Sequence, residues 1–220
     1  MTGFWQVTIR EIIEIRGEEA VKAELSEFSC PLNPDVEYFI KSKAIEFSKQ
    51  GIASTHLVYT SYKDKPVLVG YYALANKTVT IKSSLLRSRK WKSRISKFAE
   101  YHSEIKSYIS AMPLIGQLGK NFFNGYNKLI TGDQLLEIAC EKVRSAQFTL
   151  SGKLVYLECE DNENLVEFYK KNGFSEFNKR QLDGDEVSND GKGYLLQMIK
   201  YLVREFNTLR QPKSSRYETC

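Results

Sequence analysis

The order of apolar and polar positions predicts strands and helices in the first 51 residues. Residues 5–13 alternate well enough for an opening strand, and residues 18–28 are predicted to form a short helix. Asn33 followed by Pro34 is a typical helix start, and apolar side chains then recur at helical spacing until Gly51. The recurring side chains are Val36, Phe39, Ile40, Ala44 and Phe47.

The next segment predicts an antiparallel meander. Residues 55–61 and 67–75 are rich in β-branched and aromatic side chains, and the polar turn 62–66 separates them. Residues 78–81 extend the meander.

A strongly basic segment follows. Residues 82–97 contain seven cations and no acidic side chain, which predicts an exposed helix. We take residues 82–112 as a basic helical insert. Its cations are Lys82, Arg87, Arg89, Lys90, Lys92, Arg94 and Lys97.

The second half alternates strands with helices. A strand, helix, strand order requires parallel pairing, whereas the meander is antiparallel. We therefore predict an α+β protein with a mixed, mostly antiparallel central sheet and flanking helices. The predicted elements are a strand at 113–119, a helix from 131, a strand at 153–159, a helix at 162–171 and strands at 174–177 and 194–202.

Composition fits one packed domain. The chain has 220 residues, of which 42% are hydrophobic and 27% charged, so global disorder is not expected. We place a single domain at residues 1–202 and a basic tail at 203–220. The net charge of +5 is local, since residues 82–97 supply +7 and the tail +2, which leaves −4 on the remainder.

Several site classes are excluded by residue usage. Four scattered cysteines and two histidines fit neither a disulfide framework nor a zinc site. No apolar run approaches the ~20 residues of a membrane helix, and residues 1–10 lack a secretory pattern, so we expect a cytoplasmic protein. His56, His102 and Cys159 have no nearby catalytic partner and are interpreted as structural.

The start of the helix at residue 131 is a candidate anion site. A helix amino terminus presents N–H groups without internal partners at its positive dipole end. Lys128 adds a cation, and Gly132 has no side chain to keep a ligand away.

A second group of residues has a specific spacing. Asn162 is followed seven residues later by Tyr169, then by Lys170 and the pair Gly173-Phe174. Farther upstream the relevant stretches are 118–121 (Leu-Gly-Lys-Asn), Gly132 with Leu135-Leu136, 68–74 (Leu-Val-Gly-Tyr-Tyr-Ala-Leu) and 28–39. Together these segments resemble the GCN5-related N-acetyltransferases, over residues 6–202.

The resemblance implies a fold in which two parallel strands splay and bind acetyl-coenzyme A between them. Leu118, Gly119 and Lys120 would pair through their main chains with the pantetheine arm, and Gly119 would form a bulge and help polarise the thioester carbonyl. Asn162 would bind the same arm, and Tyr169 would contact the cofactor and protonate the leaving thiolate as general acid. Lys128 and the amides of Leu129, Ile130, Thr131, Gly132 and Asp133 would hold the pyrophosphate.

The pyrophosphate loop departs from the family pattern. Asn127 and Ile130 replace the usual first polar residue and middle glycine, while the final glycine, Gly132, is kept. This departure predicts an altered phosphate cradle.

The acceptor is an amine that the sequence does not identify. Glu158 and Glu160 are candidate general bases, and solvated strand-end charges are an equal alternative. Water is a further candidate base, and an acceptor that arrives neutral would need none. Arg87, Arg89 and Lys90 of the insert would face the acceptor, as in toxins of this family that acetylate aminoacyl-tRNA; a role in solubility or in homodimer contacts is the alternative.

The predicted function is therefore acetyl transfer from acetyl-coenzyme A to an amine by direct transfer. A non-catalytic coenzyme A-binding or interaction module of the same fold is the first alternative. An unrelated α+β binding protein is the second.

Overall fold

The computed structural model describes residues 3–86, 88–184 and 191–203. The helices are α1 (Ile9–Arg16), α2 (Glu18–Ser26), α3 (Pro34–Tyr38), α4 (Ala44–Gln50), α5 (Arg89–Ile95), α6 (Gly132–Leu150) and α7 (Glu163–Lys171), and a π-helical turn (Phe39–Lys43) joins α3 to α4. The strands are β1 (Phe4–Thr8), β2 (Ser54–Tyr62), β3 (Lys65–Lys82), β4 (Glu100–His102), β5 (Ser107–Lys120), β6 (Leu154–Cys159), β7 (Ser175–Gln181) and β8 (Tyr194–Tyr201).

The strands form one mixed sheet. Their order is β1-β2-β3-β5-β6-β8-β7, and β4 pairs with β5. Every pairing is antiparallel except that of β5 with β6. The predicted α+β class with a mostly antiparallel sheet is confirmed.

The two faces of the sheet are covered by different helices. On the first face, α6 and α7 bury a cluster that includes Leu135, Ala139 and Val166. On the second face, helices α1 to α4 cover β2 and β3, and α5 covers the far end of β3 and β5. We call these the α6 face and the α3 face.

The helix start predicted at Asn33 is correct. The Asn33 side chain caps α3 by accepting from the amides of Asp35 and Val36, and Pro34 is the first helical residue. The helical segment continues through the π turn and ends at Gly51, whose φ of 74° is left-handed.

The opening strand is shorter than predicted. It ends at Thr8, where a capping box between Thr8 and Glu11 starts α1. Ile9 and Ile12 lie three residues apart and both are buried, so helical spacing replaces the expected strand alternation.

The prediction of a helical insert at 82–112 is wrong over most of its length. Strand β3 runs to Lys82 and β5 begins at Ser107, so the two strands pair along a long hairpin arm with a helix, α5, of only seven residues. Val79, Ile81 and Tyr108 are buried on the arm, and pairing between distant residues therefore decides its structure.

Within the described residues, no helix is both long and apolar enough to cross a membrane.

The buried histidine predicts a pH-dependent stability. His56 on β2 stacks on Tyr72 at 4.8 Å between ring centroids, and its Nδ1 has no hydrogen-bond partner among the described residues. Burial, followed by the charge of Lys142, lowers the pKa of His56 from 6.5 to about 4. The folded state therefore resists a proton that the unfolded state accepts.

We expect His56→Gln to reduce the change in the free energy of unfolding between neutral and acidic pH. The folded pKa lies below the unfolded value, so stability is lost as pH falls below about 6.5 and the loss levels off near pH 4. Urea unfolding measures the free energy of unfolding at pH 7 and at pH 4.5. The decrease between these two pH values should be about 2 kcal/mol smaller in the variant than in the wild type. His102→Gln is the control, and equal losses in all three proteins would contradict this account.

Candidate functional site

The parallel strands β5 and β6 touch at one point and then diverge. Their single pairing joins Leu114 to Tyr156. Beyond it, residues 116–120 of β5 and 157–159 of β6 have no partner on their facing edges within the described structure, although each strand pairs normally on its other side. We call the opening between these edges the cleft.

A β-bulge accompanies the divergence. Gln117 pairs with Ala73 and Ile115 with Leu74, so Gly116 is the extra residue on β5. A bulge bends its strand and increases its twist, which turns the end of β5 away from β6. The sequence prediction that placed the bulge at Gly119 is therefore wrong by three residues.

Gly119 instead allows helix α3 to pack closely on β5. It is buried and pairs with Tyr71, and a Cβ atom at this position would overlap Cγ1 of Val36. Helix α3 therefore packs directly on the backbone of β5 beside the cleft, and the main chain of residues 118–120 is held from the α3 face.

The loop after β5 leads to the start of α6 through a 3-10 turn, Phe123–Lys128. Asn124 and Gly125 adopt left-handed conformations, with φ of 51° and 74°. Lys120 donates to the carbonyl of Asn127 at 3.1 Å, which joins the end of β5 to this turn. Ile130 occupies the position of the middle glycine in the N-acetyltransferase pattern. Its side chain is buried in the core on the α6 face and thereby fixes the loop to the core.

The amino terminus of α6 is capped and still has open donors. Thr131 and Gln134 form a capping box that satisfies the amides of both residues. The amides of Ile130, Gly132 and Asp133 make no hydrogen bond within the described chain. These three N–H groups, with the positive end of a 19-residue helix, can bind an anion.

The side chains near this terminus are arranged to leave it accessible. Asp133 accepts from Asn172 at 2.7 Å and pairs with Lys171 at 3.1 Å, and these contacts lower its carboxyl pKa. Its negative charge is thereby directed toward α7. Lys128 is exposed and forms no ion pair with the described residues, so its charge is available to an anion.

Gly132 is close to α7. A Cβ atom there would lie 3.1 Å from a ring carbon of Phe168. The glycine therefore permits tight packing of α6 on α7 as well as a short approach by a ligand.

Asn162 is the cap that precedes helix α7, and Tyr169 lies in the last turn of this helix. The Asn162 side-chain oxygen caps α7 by accepting from the amides of Asn164 and Leu165, and its Nδ2 group has no partner among the described residues. The Tyr169 ring packs against Phe168 and Phe174.

The Tyr169 hydroxyl is also without a hydrogen-bond partner in the described structure. Burial raises the pKa of the Tyr169 phenol above its ordinary value of 10. A phenol in this environment stays protonated at neutral pH and is able to donate a proton.

Glu158 is neither free nor solvated. Arg180 donates to it twice, from Nε at 2.8 Å and from Nη2 at 2.9 Å, and the hydroxyl of Tyr156 also donates to it. Lys77 lies 3.4 Å away and Gln197 donates at the same distance. Burial alone would raise the carboxyl pKa, but the bonds from Arg180 and Tyr156 outweigh it and the pKa is lowered.

This network argues against Glu158 as a base. A carboxylate with lowered pKa that already accepts several hydrogen bonds is a poor proton acceptor. Its partners come from four strands, and sequence reasoning missed Lys77, Arg180 and Gln197 because no local spacing connects them to Glu158.

The basic segment lies on the α3 face. Helix α5 is held by the buried Ile95 and by Arg94, which stacks over Tyr201 at 4.3 Å. Arg89 and Lys90 are exposed, and they form no ion pair with the described residues. Arg87 lies outside the described residues.

Helix α5 packs in the cluster that contains Leu154 and Tyr156 of β6. Tyr156 is also the residue that pairs with Leu114 where the two strands begin to diverge, so the helix lies at the closed end of the cleft.

Similar proteins were found by comparison of structures and not by comparison of sequences. No family model matches the sequence, and no curated protein matches it. AtaT complexed with acetyl-methionyl-tRNAfMet is 15% identical, with 88% of this chain and 94% of that chain covered and a TM-score of 0.56. A structure described as a bacterial toxin is 13% identical, with 92% of each chain covered and a TM-score of 0.58.

A third solved structure is a tyrosine-to-phenylalanine mutant of the AtaT toxin, bound to the carboxy terminus of the antitoxin AtaR and to acetyl-CoA. It is 14% identical, with 88% of this chain and 91% of that chain covered and a TM-score of 0.52. The chain has the GCN5-related N-acetyltransferase fold. The expected fold, with its splayed parallel strands, is confirmed, whereas the roles of individual residues stay predictions.

Two glycines of this N-acetyltransferase fold give a matched pair of variants. Gly119→Ala should destabilise the protein by about 2 kcal/mol or more, because the methyl group overlaps Val36. Gly116→Ala should cost less, since its methyl would meet only Leu114 at 3.7 Å. Urea unfolding checks both, and equal losses would contradict the packing of α3 on β5.

Proposed function

We propose that this protein is an N-acetyltransferase that transfers the acetyl group of acetyl-CoA directly to an amine. The observation that carries the proposal is the cleft itself, with an unpaired edge of β5 that ends at the open N–H groups of α6. A linear ligand with amides at one end and phosphates at the other matches this arrangement, because the amides can pair with the edge of β5 and the phosphates can accept from the N–H groups of α6.

The fit is to the ligand's two polar parts. The main chain of Leu118, Gly119 and Lys120 would pair with the pantetheine amides as an added strand would. The amides at 129–133, of which Ile130, Gly132 and Asp133 are open, would bind the pyrophosphate, and Lys128 would supply a cation. Asn162 would donate its free Nδ2 to the arm.

Acetyl-CoA supplies an acetyl group already activated as a thioester. The amine nitrogen forms a bond to the carbonyl carbon, and the carbon–sulfur bond then breaks. A main-chain N–H of β5 on the closed side of Gly119, at the bulge beside Gly116, would stabilise the oxygen that gains negative charge. The Tyr169 hydroxyl would give its proton to the leaving sulfur, and the proton that the nitrogen loses on becoming an amide would pass to water, from which the Tyr169 phenolate would be reprotonated.

No carboxylate near the cleft is needed as a base in this scheme. Glu158 is occupied by Arg180 and Tyr156, so an amine that arrives neutral, or that loses its proton to water, fits the structure better. A weakly basic amine such as that of an aminoacyl ester meets this requirement.

The Tyr169→Phe variant tests the mechanism. It should bind acetyl-CoA as the wild type does and lose turnover by ten-fold or more, because only the proton donor is removed. Calorimetry measures binding, and thiol release with a panel of amines measures turnover. Tyr101→Phe, an exposed tyrosine on β4, is the control.

The pH profile separates the outcomes further. Since burial raises the pKa of Tyr169, turnover should show no loss from phenol ionisation between pH 7 and pH 10. Unchanged turnover in Tyr169→Phe removes this residue from the mechanism. Binding of acetyl-CoA without turnover of any amine would favour a coenzyme A-binding module, and no binding would favour an unrelated function.

We further propose aminoacyl-tRNA as the acceptor class. The supporting observation is the α5 basic surface, which we define as Arg89, Lys90, Lys92 and Lys97. These side chains are exposed and make no ion pair with the described residues, so they are available to phosphates. AtaT, which has this fold, was solved with an acetylated aminoacyl-tRNA.

Charge reversal tests the acceptor class. The double variant Arg89→Glu and Lys90→Glu should lower tRNA affinity ten-fold or more and reduce the slope of log affinity against log salt by about 1 to 2. The control reverses Lys43 and Lys142, which lie on helices outside the basic surface. Binding that is independent of salt, or equal losses in both double variants, would contradict this acceptor.

A further inference from the structure

An ionic contact spans the strands at the closed end of the cleft. Lys77 on β3 extends across β5, and its Nζ lies 3.4 Å from each carboxylate oxygen of Glu158 on β6. Both side chains are on the α3 face, and Glu158 is two residues beyond Tyr156, which pairs with Leu114 where the strands begin to diverge.

Glu158 does not need Lys77 for charge balance. Arg180 already binds both of its oxygens at 2.8 and 2.9 Å, and the Arg180 and Glu158 side chains are only 18% and 10% exposed. Lys77 is 37% exposed, and its contact is longer. A second, partly exposed cation on a neutralised carboxylate contributes little to folding.

The location of this contact connects it to the acyl group. In the proposed binding mode, the pyrophosphate is at the start of α6 and the pantetheine arm follows the edge of β5 toward Leu114. The acyl group is the end of the ligand farthest from the pyrophosphate, so it lies nearest the closed end of the cleft. The charged contact between Lys77 and Glu158 forms a wall there.

We propose that the contact between Lys77 and Glu158 limits the donor to short acyl thioesters and selects acetyl-CoA over longer acyl-CoA. This inference rests on the proposed acetyl-CoA binding. A longer chain would press methylene groups against two charges and displace Nζ from its carboxylate, which is unfavourable. Each extra methylene group in a closed pocket typically changes discrimination ten-fold or more.

The test compares binding of acetyl-CoA and butyryl-CoA by calorimetry, which requires no acceptor. The wild type should bind butyryl-CoA at least ten-fold more weakly than acetyl-CoA. Lys77→Ala should reduce this ratio about ten-fold by opening the wall, and Lys77→Arg should restore it by retaining the ion pair. Lys65→Ala, an exposed lysine on the same strand, is the control.

Thermal unfolding accompanies each variant. Since Lys77 is partly exposed, the midpoint of Lys77→Ala should fall by no more than about 4 °C, which confirms that the variant is folded. A purely structural role for Lys77 would weaken both ligands equally and leave the ratio of their affinities unchanged.

The outcomes separate this inference from the proposed function. If the wild type binds neither thioester, both fail. If the wild type binds acetyl-CoA but Lys77→Ala keeps the wild-type ratio, or if Lys65→Ala reduces the ratio as much, the acyl-length inference alone is overturned. A reduced ratio in Lys77→Ala with recovery in Lys77→Arg supports it.

Discussion

The single parallel contact between β5 and β6 is the constraint on which the site depends. Parallel strands normally pair along their length, and here only Leu114 and Tyr156 do so. The bulge at Gly116 bends β5 away, and the unpaired edges become available to a ligand. Unpaired backbone groups inside a fold are costly unless water or a partner satisfies them, so a ligand that pairs with them is favoured.

Packing from both faces holds this opening. Helix α3 rests on the backbone of Gly119, where no side chain would fit, and α6 is fixed to α7 through Gly132 and Asp133. The two hydrogen bonds from Arg180 to Glu158 tie β6 to β7 across β8, and both side chains are mostly shielded from solvent.

Helix starts could be predicted from the sequence, because neighbouring residues determine them. The caps at Asn33, Thr131 and Asn162 lie where a polar side chain followed by a helical pattern predicted them, because each satisfies amides within three residues. The end of the first strand was missed since Ile9 and Ile12 fit a helix that begins at the Thr8 cap.

Long-range features could not be predicted in this way. The position of a bulge depends on the register with the neighbouring strand, and Gly116 and Gly119 cannot be distinguished until Ala73 is paired with Gln117 and Leu74 with Ile115. The hairpin arm that replaces most of the expected helical insert likewise results from pairing of β3 with β5. The contact of Lys77 with Glu158 joins residues far apart in sequence, and its only sequence signal is charge.

Hydrogen exchange measured with and without acetyl-CoA tests the central claim most directly. If the ligand completes the open edge and the amino terminus of α6, amides at 116–120 and 130–133 should exchange more slowly when it is bound, and amides of β1 and β2 should not change. Protection elsewhere, with none at the edge of β5, would contradict this account of the cleft.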